Sequence, residues 1–184
     1  MPLTLADVYP AYSAPAGWGD KGSAHDYLPV YAREMTRTEN VTLLEVGVYH
    51  GHSLAMWGAW LTDSQVIGLD THPGLVTYPD LDVRACNACD PGQVDAALGD
   101  QTFDYVIDDG SHHVHEQLAT LDLLLPRMNA GGRYFIEDIT GDLPLALICA
   151  RLHDGGHDYD VYDGRGPDRQ PDEIMVIVSI PEEN

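Results

Sequence analysis

The sequence predicts an α/β fold, a doubly wound and mostly parallel sheet with helices on both faces and an antiparallel hairpin at its C-terminal end. Three observations carry this. Apolar runs of strand length alternate with segments of helical period through the middle of the chain. Most of those runs end in an acidic residue before a turn. The last two, 157–162 and 173–180, are separated by a Gly/Pro/Asp-rich stretch rather than by a helix.

Residues 1–22 are rich in Pro, Gly, Ala and Tyr without periodicity, so an extended arm or lid is expected, followed by one domain over 23–184. From Asp26, Tyr27, Val30, Tyr31 and Met35 recur at helical spacing, and Pro29 is tolerable in a first turn. Residues 41–46 (VTLLEV) form a buried-strand pattern that runs through Gly47 and Gly51 into a helix carrying Leu54, Trp57 and Leu61. QVIGLD (65–70) is a second strand, and 81–86 a short third one. A helix with Pro at its start covers 91–98, a strand 103–108, a helix 114–125, a strand 132–136 and a helix 143–152.

Composition narrows the function classes. A chain of 184 residues with 44% hydrophobic content can bury one sizeable core. Its formal charge of −21, with Lys21 as its single lysine, repels nucleic-acid phosphates and anionic membranes. No segment has the length of a membrane helix or the form of a signal peptide, which leads us to expect a cytoplasmic protein. Three cysteines do not make a disulfide framework, and Cys86-Asn87-Ala88-Cys89 has C-x-x-C spacing without the further ligands of a zinc site.

Parallel α/β sheets bind ligands beyond the carboxyl ends of their strands, where Glu45, Asp70, Asp108, Asp109, Glu137 and Asp138 all fall. Weighed as a dinucleotide fingerprint, Glu45-Val46-Gly47-Val48-Tyr49-His50-Gly51 keeps one glycine of three. A carboxylate before the turn suits a cationic ligand, which favours S-adenosylmethionine over NAD. The pattern resembles motif I of the class I methyltransferases, E/D-x-G-x-G-x-G, with Tyr49 at the middle glycine. Asp70 is placed to accept from ribose hydroxyls, or else merely starts the turn His72-Pro73-Gly74. Asp90 is placed for the adenine amino group. Glu45, Gly47, Tyr49, Gly51, Asp70, Asp90 and Asp108 are thus the candidate cofactor residues.

The stretch VIDDGSHHVH (106–115) gathers acids and imidazoles at a strand end. Asp109 or Ser111 could simply cap the helix that follows. Alternatively, Asp109 and the Glu137-Asp138 pair of the next strand converge on one ion, and an all-oxygen set selects Mg²⁺ or a similar divalent cation. His112, three residues after Asp109 and near a helix start whose dipole disfavours imidazolium, would be a neutral base. His113 and His115 read mainly as surface residues.

DKGSAHDYLPVY (20–31), LLEVGVYHGHSL (43–54), VIDDGSHHVHEQ (106–117) and GGRYFIEDI (131–139) resemble the metal-dependent sugar O-methyltransferases of macrolide biosynthesis, the mycinamicin and macrocin type, over roughly residues 18–140. The resemblance implies a Rossmann-like class I methyltransferase fold, Mg²⁺ on Asp109, Glu137 and Asp138, and His112 as base. It also implies S-adenosylmethionine as donor, S-adenosylhomocysteine as product and a small-molecule hydroxyl acceptor. His25 and Tyr27 recur in that family's N-terminal motif; Tyr27 serves packing equally well. We expect a chain without the family's large N-terminal domain, with self-association left open. A metal-dependent hydrolase using the same acids and His112, and a non-catalytic cofactor-binding protein, are the alternatives.

Overall fold

The computed structural model describes residues 3–13 and 21–182. Its elements are α1 (Leu5–Val8), α2 (Leu28–Glu34), β1 (Thr42–Val46), α3 (His52–Trp60), β2 (Gln65–Asp70), β3 (Asp82–Ala85), α4 (Pro91–Leu98), β4 (Phe103–Asp108), α5 (Val114–Leu124), β5 (Met128–Ile136), α6 (Asp142–Asp154), β6 (Asp158–Asp163) and β7 (Ile174–Ser179). The strands form one sheet in the order β3-β2-β1-β4-β5-β7-β6. β1 to β5 are parallel, and β7 runs antiparallel to both β5 and β6. The expected hairpin is present, with its second strand inserted inside the first. β5 starts earlier than the apolar pattern predicts, at Met128, with a register irregularity opposite Phe103 and Tyr105.

The period of two along each strand distributes the core between two layers. On one face Leu44, Val106, Tyr134 and Ile136 pack with Val94 of α4, Leu121 of α5 and Leu152 of α6. On the other Leu43, Ile107, Phe135 and Ile177 meet Val30 and Tyr31 of α2, and Met56 and Trp57 of α3. The winding direction reverses between β1 and β4, so a crevice opens beyond their carboxyl ends. Both sheet edges carry charge: Asp82 and Arg84 on β3, and the exposed Asp158, Asp160 and Asp163 on β6.

The N-terminal expectation needs correction. Residues 3–13 are not extended: Thr4 and Asp7 form a reciprocal capping box that starts α1, and a 3-10 turn, Tyr9–Ala11, follows. Its sequence sign was T-x-x-D before an apolar residue. Leu5 and Val8 are buried against the α2/α3 layer. The rest of the expected arm, apart from Lys21 and Gly22, lies outside the described residues, as does Asp20 of the DKGSAHDYLPVY stretch. Leu5→Ala should therefore cost about 2–4 kcal/mol in chemical denaturation, the range for a buried leucine, while Leu3→Ala, at an exposed position, should stay within about 0.5 kcal/mol.

Candidate active site

A cleft of about 650 Å³ opens at the β1/β4 switch point, within the size range of small-molecule sites. Asp70, Thr71 and the Cys86–Cys89 segment line one end; Gly47, Val48 and Tyr49 form its middle; Asp109, His112 and Asp138 stand at the other. Two turns meet below it. Gly47 has φ +84°, and a Cβ there would lie 1.9 Å from the Asp109 carbonyl oxygen, so only glycine lets the β1 turn approach the end of β4 this closely. Of the five described non-glycine residues in left-handed backbone, three, Tyr49, His112 and Asp138, line the cleft, with φ of 50°, 58° and 52°, a strain that clusters at functional sites.

The candidate cofactor residues divide. Asp70 lies in the cleft wall: its Oδ2 accepts from the amides of Val48 and Tyr49 at 2.9 Å each, and its Oδ1 from that of His72 at 2.6 Å. This carboxylate ties the glycine turn to the end of β2. Tyr49 and Gly47 also line the cleft. Asp108 is buried in its wall, with Oδ1 accepting from Gly110 at 3.3 Å and Oδ2 without a partner among the described residues; burial pushes its carboxyl up to about 7. Glu45, Gly51 and Asp90 do not line it. Glu45 is turned into the α2/α3 layer, where it accepts from Ser53 Oγ at 3.0 Å and Trp57 Nε1 at 3.2 Å, and the amine it faces is Lys21 of the chain itself, at 3.9 Å. Both of its oxygens are engaged within the chain. Gly51 serves as the left-handed N-cap of α3. Asp90 caps α4, accepting from the Gln93 amide at 3.1 Å, and Asn87 with the two cysteines lines the wall in its stead. Cys86 and Cys89 are free thiols, both pushed up by burial and so less reactive.

The acids of β4 and β5 also divide. Among the described residues, the metal-ligating groups that come together are Asp109, His112 and Asp138, whose ligand atoms all lie within 4.8 Å of one another. His112 Nε2 is 3.1 Å from Asp109 Oδ1 and 3.8 Å from Asp138 Oδ2. Tyr27 donates to Asp138 Oδ1 at 2.8 Å. Glu137 continues the strand alternation on the α2/α3 side: Lys21 donates to both of its oxygens at 2.7 Å, and Tyr31 donates to one of them. The gathered group is therefore mixed oxygen and nitrogen, a set open to first-row divalent ions as well as Mg²⁺. His112 also departs from the expectation of a neutral imidazole. It sits in the loop two residues before α5; burial works against its proton, but the hydrogen bond and charge of Asp109, with Asp138 and Glu137 behind, outweigh burial and push it up to about 9.

Sequence reasoning left several residues of this centre without a role. Lys21 donates to Asp109 Oδ2 at 2.6 Å as well as to Glu137, and both it and Tyr31 are buried. Gln117 of α5 holds the end of β5 by donating to the Glu137 carbonyl at 2.9 Å. The available signs were a single lysine in a strongly acidic chain and the i, i+4 spacing of Tyr27 and Tyr31.

A model of a methyltransferase domain matches residues 44–139, more than half of the chain, and the chain belongs to that family. Among curated relatives, the 8-demethyl-8-α-L-rhamnosyl tetracenomycin-C 2′-O-methyltransferase of Streptomyces olivaceus is 31% identical over 131 residues, covering 65% of this chain and 35% of its own length. The mycinamicin VI 2″-O-methyltransferase of Micromonospora griseorubida is 33% identical over 136 residues, covering 64% and 32%. This chain spans about a third of the length of these curated relatives. Among solved structures, the MycE methyltransferase of mycinamycin biosynthesis, in complex with Mg and SAH, superposes with a TM-score of 0.74 at 23% identity, over 99% of this chain and 56% of that one. The fold is thus that of the Rossmann-like methyltransferases. Among the described residues, no helix is long and apolar enough to cross a membrane.

The buried Glu45 gives a pH signature. Burial raises its carboxyl from 4.5 to about 7 against the pull of Lys21, so between those values the folded chain holds a proton that the unfolded chain releases. That contribution to stability is present below pH 4.5 and is lost as pH rises through 7. Compared with Glu45→Gln, which keeps an acceptor for Trp57, the parent should lose on the order of 1–3 kcal/mol between pH 5 and 8. Parallel denaturation curves for the two proteins check this.

Proposed function

We propose that the chain transfers a methyl group from S-adenosylmethionine to a hydroxyl of a small sugar-containing or polyhydroxylated metabolite, with a divalent cation bound at the acceptor end. The observation that carries this reading is continuity: one cleft joins the Asp70/Gly47 turn to the carboxylate–imidazole group. A hydrolase would have use for the second end alone. The names of the curated relatives, which act on rhamnosyl and mycinamicin hydroxyls, support the acceptor class.

The residues present fit both groups. Asp70 retains one lone pair, on Oδ1, for a ribose hydroxyl, and Asp108 Oδ2, without a partner among the described residues, offers a second oxygen in the same wall. Asp109 and Asp138 would hold the cation, and Glu137, tied to Lys21 and Tyr31, supports them from beneath. When bound, S-adenosylmethionine supplies an electrophilic methyl carbon and a divalent cation lowers the pKa of a neighbouring hydroxyl. The chain's own residues do the rest. The cleft walls align acceptor oxygen and methyl carbon and exclude water. His112 receives the hydroxyl proton at Nε2 as the oxygen–carbon bond forms and the sulfur–carbon bond breaks, leaving S-adenosylhomocysteine. Its proton in the free protein is held by Asp109 and Asp138, so neutralising those carboxylates frees the imidazole to act as a base.

Three measurements check this reading. In calorimetry, Asp70→Ala should weaken S-adenosylhomocysteine binding at least tenfold, about 1.4 kcal/mol, and unchanged affinity would remove the ribose assignment. Methyl transfer to a deoxysugar glycoside should stop in EDTA and return with added Mg²⁺ or Mn²⁺; full turnover in chelator would leave the acids a structural role. His112→Ala should keep donor and cation binding while losing about 10²- to 10⁴-fold in rate. If the variant loses the cation instead, His112 is a ligand and not the base.

A further inference from the structure

Lys21 is the one lysine of the chain, and it is buried with its ammonium among oxygens, much as a metal ion would sit. Its Nζ lies 2.6 Å from Asp109 Oδ2, 2.7 Å from each oxygen of Glu137 and 3.9 Å from Glu45 Oε1. Asp109 therefore faces two ways, with Oδ2 on Lys21 and Oδ1 on His112 at 3.1 Å. It belongs at once to the lysine's cluster and to the group with Asp138.

We propose that Lys21 is the internal counter-cation of this acidic centre, a positioning residue that holds Asp109 and Glu137 in place and sets the affinity for a divalent cation well below what the carboxylates alone would give. The inference rests on reading Asp109 and Asp138 as a cation site. Two physical effects support it. An ammonium fixed on the far oxygen of a shared carboxylate repels a second cation at short range in a medium that screens poorly. It also occupies the donor sites on Asp109 and Glu137 that an incoming ion would otherwise use. A role confined to holding the fold together predicts the reverse, since loosening Asp109 would weaken the site.

The test is a calorimetric titration of the chelator-stripped full chain with Mn²⁺ at one pH and ionic strength, comparing the parent with Lys21→Met and Lys21→Gln. Both variants should bind Mn²⁺ at least tenfold more tightly; equal or weaker affinity overturns the proposal. Removing a buried lysine leaves Asp109, Glu137 and Glu45 uncompensated, so either variant could fail to fold without the ion. In that case melting is followed with and without Mn²⁺. The ion should then restore folding or raise the melting temperature more in the variants than in the parent, and variants that stay unfolded at saturating Mn²⁺ overturn the proposal. If neither parent nor variants bind Mn²⁺, the cation reading of the site fails together with this inference; if the parent binds and the folded variants bind no more tightly, this inference alone fails.

Discussion

Five carboxylates, Glu45, Asp108, Asp109, Glu137 and Asp138, sit at the carboxyl ends of three neighbouring parallel strands, four of them buried and Asp109 partly so, and the chain must compensate their charge for the sheet to close. Charges so placed are costly unless paired or protonated. The solution is layered. Lys21 bridges Asp109 and Glu137, Ser53 and Trp57 receive Glu45, and Tyr27 and Tyr31 cover Asp138 and Glu137. Every one of these donors comes from the segment before α3 or from α3 itself. The layer that packs on this side of the sheet is thereby tied to the centre by polar contacts as well as by apolar burial.

The strand alternation explains why adjacent acids have unlike fates. Phe135 faces the α2/α3 layer and Ile136 the opposite one, so Glu137 falls back under α2, where a lysine and a tyrosine meet it. Asp138 stands past the strand in left-handed backbone and turns into the cleft. On β1 the same rule sends Glu45 toward Ser53 and Trp57 of α3. An acid at a strand end marks the rim, but its face decides whether it meets a ligand or the core.

Most of the fold was legible in the sequence because it rests on short-range signals. The change from period 2 to helical period at Gly47, the acids at strand ends and the Gly/Pro/Asp-rich stretch before β7 each report local structure. The location of the cleft followed from strand order. Partnerships across 88 or 116 residues did not, since nothing near Lys21 announces Asp109 or Glu137. Glu45, Gly51 and Asp90 illustrate the converse: residues whose spacing suggests a ligand also serve Trp57, a helix start and Gln93, partners that only the three-dimensional arrangement reveals. Tyr31 looked apolar because its ring is core; its hydroxyl alone serves the centre.

The charged margins of the sheet have a consequence for how copies of this chain meet. A strand edge is a template for adding another strand, and one that presents Asp158, Asp160 and Asp163 refuses an identical neighbour, since antiparallel pairing would set acid against acid. The opposite margin carries the Asp82–Arg84 ion pair. Sheet extension, the usual beginning of fibrillar aggregation, is thereby disfavoured at the β6 margin.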